Sequence, residues 1–225
     1  MNPRFATAVD PVFLYVIRLI DRIENREEPV AREEFNHLRR HFETAEAALG
    51  QSKEWLLAKY ALVSWIDELL IFAEWRGRDW WENNTLETEL FRTREASTQF
   101  FVKAREAGAL ETRNALEIYY ICIVLGFYGI YRTELSLGSG SERGSHFLQD
   151  LGLPPTRELW ARQTKAALQL QQGRPSISVD SKPGDAPPLE EKFECIASWL
   201  VTLVLAVSLF FVSFYLFGTV SGPGS

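Results

Sequence analysis

The stretch WIDELL sets Asp67 and Glu68 inside a helical run that is otherwise almost wholly apolar. Burying one unpaired carboxylate costs several kcal/mol, so each of these groups must meet a partner or face a cleft. Adjacent helix positions project about 100° apart, which keeps the two from sharing a substrate proton and argues against a general acid/base pair. Two readings stay open: a pair that caps or braces a neighbouring helix, and a partner-binding cleft. Downstream, Trp75, Trp80 and Trp81 cluster beside Arg76, Arg78 and Asp79. Trp and Arg dominate protein-binding hot spots, and they also pack helix corners.

Other chemistry is absent on spacing. His37 and His41 stand at i and i+4, as a zinc helix requires, but Leu38, Arg39 and Arg40 fill the interval where a metalloprotease carries its general-base Glu. They read as two solvated histidines on a basic helix face. His146 stands alone beside Ser145, no GxSxG elbow occurs, and GSGSERGS lacks the Lys of a P-loop. Cys122 and Cys195 have neither metal-ligand nor disulfide-framework spacing, in keeping with a reducing compartment. No catalytic, cofactor-binding or metal-ligating residue is assigned, and no cofactor is expected.

The elements that must position these residues are helical. Asp10 and Pro11 signal a first helix running to about Asn25. Pro29 restarts a second, with Phe35, Leu38, Phe42, Ala45 and Leu49 on one stripe and Gly50 at its end. Ser52 caps a third through about Arg76, ended by Gly77, with apolar residues on nearly every side. GRDWWENN reads as a loop, after which Asn84 and Glu87 form a capping box for a fourth helix around Leu86, Leu90 and Phe91. A fifth carries Phe100, Phe101 and Val102 to Gly108. LEIYYICIVL, Leu116 to Leu125, suits a buried strand or helix, and without a partner strand helix is expected. SLGSGSERGS is a loop, and Pro154, Pro155 and Thr156 open a last helix to about Gln172, stopped by Gly173. The fold class is all-α, with about seven helices in residues 1–173.

Residues 174–190, rich in Pro and small polar groups, have the composition of a linker. All 24 Lys and Arg and all 30 Asp and Glu precede Cys195. From Cys195 to Phe217 runs CIASWLVTLVLAVSLFFVSFYLF, whose helix would be about 35 Å long against a hydrocarbon core of about 30 Å. About fourteen Leu, Ile, Val and Phe favour insertion by roughly 4 to 8 kcal/mol. Residues 191–217 are thus expected to be a membrane anchor helix, in contact with lipid, and 218–225 a short tail beyond it. Lys192, Lys182 and Arg174 precede the span and no cation follows it, so the large domain is expected in the cytoplasm. Ser198, Thr202 and Ala206 are small residues that could let two spans approach in a homodimer. The net charge of −6 offers no field for nucleic acid or anionic headgroups.

Three features together resemble the DotU/TssL family, the inner-membrane anchor component of type VI secretion systems. YALVSWIDELLIFAEWRGRDWWENNTLETELF, Tyr60 to Phe91, is similar to the family segment built around an Asp-Glu pair, a following Trp and a Leu-rich helix. NALEIYYICIVLGFYGIYR, Asn114 to Arg132, is similar to the stretch running into Leu-Gly-Phe and Gly-x-Tyr-Arg, and a terminal anchor follows a variable linker. Where the family often shows Gly-Glu, this chain has Arg92, Thr93, Arg94 and Glu95. The resemblance implies a non-enzymatic scaffold in the short form without a peptidoglycan-binding domain. Its fold would be a hook of two small helical bundles, with Asp67 and Glu68 in the cleft. Implied partners are a large inner-membrane subunit (TssM-like), baseplate components (TssK-like and TssE-like) and, indirectly, an outer-membrane lipoprotein. The implied place is the bacterial inner membrane, single-pass, with the C-terminus in the periplasm.

The competing reading is a tail-anchored helical regulator that receives a partner helix in a groove. EWRGRDWW superficially resembles the Asn-Trp-Gly-Arg stretch of apoptosis regulators, but Arg76 between Trp75 and Gly77 breaks that pattern. A membrane-tethered hydrolase using Asp67 or Glu68 is a third reading.

Overall fold

The computed structural model describes residues 1–132 and 148–171, and these hold no strand. Among the described residues the main helices run in the order α1 (Pro3–Glu24), α2 (Ala31–Leu49), α3 (Lys53–Phe72), α4 (Arg78–Asn83), α5 (Leu86–Phe91), α6 (Ala96–Gly108), α7 (Asn114–Val124) and α8 (Arg157–Gln171). The all-α class is as expected; the extra helix is α4. The linker, the span Cys195–Phe217 with Ser198, Thr202 and Ala206, and the loop holding His146 lie outside the described residues. Among the described residues no helix is long and apolar enough to cross a membrane.

The third helix is the axis of the described fold. It packs against α4, α5, α6 and α7, and α8 packs on the far side through α7. That position explains why its sequence lacks a polar side: Trp55, Tyr60, Leu62, Trp65, Ile66 and Leu70 are all buried, on several faces. On one flank Phe13 of α1 meets Trp65 at 5.2 Å between ring centroids. On another Phe100, Phe101, Tyr119, Phe127 and Trp160 join α6, α7 and α8 in an aromatic cluster, with Phe100 stacked on Phe127 at 4.0 Å. Such ring pairs add about 0.5 to 1.5 kcal/mol beyond their buried area.

Four boundaries differ from the sequence expectation. The first helix begins at Pro3, not at Pro11, with Asn2 accepting the Arg4 N–H at 3.0 Å. Pro11 costs the helix one hydrogen bond, the one a backbone N–H would make to the Thr7 carbonyl. Both residues lie on the exposed face, while Phe5, Val9, Val12, Phe13 and Val16 bury one continuous stripe across the proline. Tertiary burial therefore carries the helix through it.

The third helix ends at Phe72, four residues early. Ala73 turns extended, and the Trp75 indole donates to the Leu70 carbonyl at 2.8 Å, replacing the N–H of the next turn. Gly77 then starts α4 instead of stopping α3. A Cβ there would lie 2.8 Å from the Ala31 Cβ and closer still to the Trp75 ring, so glycine permits the approach of α2. The expected loop at GRDWWENN is α4 itself, and Asn84 closes it by donating from Nδ2 to the Trp80 carbonyl at 2.8 Å. The cap of α5 accordingly falls to Thr85, whose Oγ1 accepts the Thr88 N–H at 3.2 Å.

Candidate functional site

Several helices here lack the side-chain cap that their own sequence would supply. Neither Glu95 before α6 nor Arg113 before α7 caps its helix. Exposed N–H groups at a helix start carry partial positive charge, which a carboxylate from elsewhere can satisfy. The acidic residues of α3 do this. Glu54 Oε1 accepts the Asn114 N–H at the start of α7 at 3.2 Å. Asp67 Oδ1 accepts the Leu86 N–H and Oδ2 the Glu87 N–H, at 2.9 and 2.8 Å, at the start of α5. Glu68 takes the Tyr128 and Gly129 N–H groups at 2.8 and 2.7 Å and pairs with Arg132 at 2.7 Å.

Glu87 continues the chain of braces. It sits on α5, is only 4% exposed, and accepts from the Tyr60 and Thr93 hydroxyls and from the Glu95 and Ala96 N–H groups at the start of α6. Asp67 thus holds α5, and α5 through Glu87 holds α6. Local spacing places Glu87 in a capping box for its own helix. The signal for its actual task was the missing cap before Phe100.

Of the two readings of the Asp67/Glu68 pair, the geometry supports the brace directly, for every oxygen of both carboxylates holds a donor. Asp67 Oδ1 also accepts the Trp81 indole N–H at 2.9 Å. Burial pushes the Asp67 carboxyl up to about 7, against the lowering pull of its three donors. Burial and the neighbouring Glu87 carboxylate likewise raise Tyr60 above its ordinary range. Gly129, at φ +55°, adopts the left-handed backbone that lets its N–H reach Glu68, and a Cβ there would lie 2.8 Å from the Ser97 carbonyl oxygen.

The pair also borders a cleft of about 280 Å³ between α3, α5 and α6. Its accessible rim is formed by Phe72, 51% exposed, with Glu82 and Arg94. The Arg132 guanidinium lies 3.9 Å from the Phe72 ring centre. The tryptophans divide. Trp81 is fully buried against Asp67, Trp75 is committed to the end of α3, and Trp80 is half-buried with its ring edge-on to Phe35 at 5.6 Å. His37 and His41 flank the Tyr15 ring, and burial lowers the His41 pKa. Among the described residues no His, Cys, Asp and Glu group has the arrangement of a metal site.

No curated protein sequence matches the chain. Among solved structures, the cytoplasmic domain of TssL from Acinetobacter baumannii is similar, with 23% identity over 66% of this chain and 94% of that one and a TM-score of 0.50. At that identity the likeness speaks for the fold, the helical arrangement around α3. The model of the family described as type VI secretion system protein DotU matches residues 4–220, from the start of α1 through the apolar C-terminal run, and the chain belongs to that family.

Proposed function

We propose that the protein is a non-enzymatic structural component of the type VI secretion membrane complex. The apolar run Cys195–Phe217 anchors it in the bacterial inner membrane, and the helical domain faces the cytoplasm, where it docks the baseplate. The observation that carries this reading is the family match over residues 4–220. The use of the buried carboxylates as helix braces favours a scaffold over a hydrolase, since a catalytic acid needs an oxygen free for substrate. On this reading its partners are a TssM-like inner-membrane subunit, TssK-like and TssE-like baseplate components, and an outer-membrane lipoprotein reached indirectly.

Docking uses the rim of the cleft, Phe72, Glu82 and Arg94, with Asp67 and Glu68 as the residues that hold the cleft in shape. Purification of the tagged full-length chain from its native cells in detergent tests the proposal as a whole. Co-purification of a large inner-membrane protein with baseplate subunits is expected. Recovery of the chain alone, or with unrelated membrane proteins, overturns it. Phe72→Ala with Glu82→Lys should weaken baseplate recovery while leaving the inner-membrane partner and the thermal stability in place.

A further inference from the structure

A second concavity lies between α2, α4 and α5, on residues other than the rim of the acidic cleft, and its chemistry is opposite. About 290 Å³ in volume, it is lined by Arg32, Phe35, Asn36, Arg39 and Trp80, with Glu89 as its one carboxylate. In a chain of net charge −6 this is a local excess of cation. Arg32 makes no ion pair among the described residues. Arg39 has only the exposed partners Glu43 at 3.4 Å and Glu89 at 3.8 Å, which hold it weakly. The Trp80 indole N–H has no acceptor among the described residues either, although the indoles of Trp75 and Trp81 are both engaged.

The placement of Trp80 is built by the fold. Trp81 is fixed inward by Asp67, and on the same short helix this turns its neighbour Trp80 towards α2, where Phe35 supports its ring. An unpaired guanidinium, a second weakly held one, a free indole N–H and an aromatic floor form a set of donors beside an apolar surface. Arg and Trp are the residues that most often anchor protein interfaces, and a guanidinium fork matches a carboxylate in two hydrogen bonds. We propose that this groove docks an acidic segment of a partner protein, one carrying Asp or Glu next to an aromatic or large aliphatic side chain. Carboxylates meet Arg32 and Arg39, and the apolar side chain lies against Trp80 and Phe35. The volume suits two or three side chains of an extended segment. This inference stands on the groove alone and does not require the secretion-scaffold reading.

The test is fluorescence polarisation with the full-length chain in detergent and a labelled synthetic peptide of Asp and Glu flanking one Phe. Two control peptides replace the acids by Lys and the Phe by Ala. The acidic aromatic peptide is expected to bind, both controls to bind less, and Arg32→Glu to weaken it by about tenfold, the scale of an interface anchor. Trp80→Ala should weaken it similarly. Arg162→Glu on the exposed face of α8 makes the same change in net charge and should leave binding as it was. Arg32 is exposed and unpaired, so its variant keeps the test decisive if Trp80→Ala fails to fold. Failure of the peptide to bind, equal binding of the Lys peptide, or equal weakening by Arg162→Glu overturns the proposal. Self-association of the wild type that Arg32→Glu abolishes would do the same, by assigning the groove to a second copy of the chain.

Discussion

Two neighbouring carboxylates hold different parts of the domain, and this can be measured residue by residue. Asp67→Ala leaves the Trp81, Leu86 and Glu87 donors without an acceptor in a buried setting, a loss of about 3 kcal/mol or more. Glu68→Ala frees the Tyr128 and Gly129 N–H groups and the Arg132 guanidinium, with a loss of about 2 kcal/mol. Hydrogen exchange should separate them: Asp67→Ala speeds the amides of α5 and the first turn of α6, and Glu68→Ala speeds those of 126–132. Exchange that rises uniformly in both variants would deny the separate roles. The Asp67 pKa of about 7 also gives a pH dependence. The unfolded chain ionises this group near pH 4 and the folded chain only near 7, so the unfolded state releases its proton first and stability falls as pH rises between them. The difference in melting temperature between the wild type and Asp67→Asn should therefore be most favourable to the wild type near pH 4 and least above 7. A difference that does not change over that range would contradict the raised pKa.

At the level of elements, Arg92 and Pro11 each keep a backbone that their residue type disfavours. Arg92 ends α5 in the left-handed conformation, φ 59°. It opens the stretch Arg92 to Glu95, where the chain departs from the Gly-Glu pair that the resemblance to the family implies. Arg92→Gly should raise stability by about 0.5 to 1 kcal/mol, the relief of left-handed strain less the added freedom of the unfolded chain. Pro11→Ala restores the bond to the Thr7 carbonyl within α1 and should add on the order of 1 to 3 kcal/mol. Both are read from chemical denaturation of the full-length chain, and a fall in the midpoint of either would show that the turn or the helix depends on the native residue for another reason.

For the whole molecule, the proposed anchor makes a prediction independent of every cleft and groove. The full chain should stay with membranes through an alkaline wash, and a truncation ahead of Cys195 should move to the supernatant. Retention of the truncated chain on membranes would shift the anchoring role to the helical domain. The braces explain why docking should be probed at the rim. Removing Asp67 releases α5 and, through Glu87, α6, and removing Glu68 releases the 128–132 turn, so lost binding in either variant reads out lost shape.

The sequence by itself determined the helical class and the stripe of α2, which rest on local periodicity and local caps, and the choice of helix over strand at α7, which rests on the want of a partner strand. It also showed that Asp67 and Glu68 need partners, since the cost of a buried charge does not depend on where the partner comes from. Only the tertiary structure decided what those partners are. The Leu86, Glu87, Tyr128 and Gly129 N–H groups lie 19 to 61 residues away in sequence. The same reason accounts for the boundaries at Pro11, Phe72 and Asn84, where burial of the α1 stripe, the returning Trp75 indole and the closing of α4 outweighed local signals. It accounts as well for the split of the tryptophans, for one hydrogen bond from Trp81 to Asp67 sends one ring into the core and leaves its neighbour at a groove. Local propensities are worth tenths of a kcal/mol to about one per residue, whereas an unpaired buried carboxylate or N–H costs several times that, so the chain gives up a local preference wherever keeping it would strand such a group.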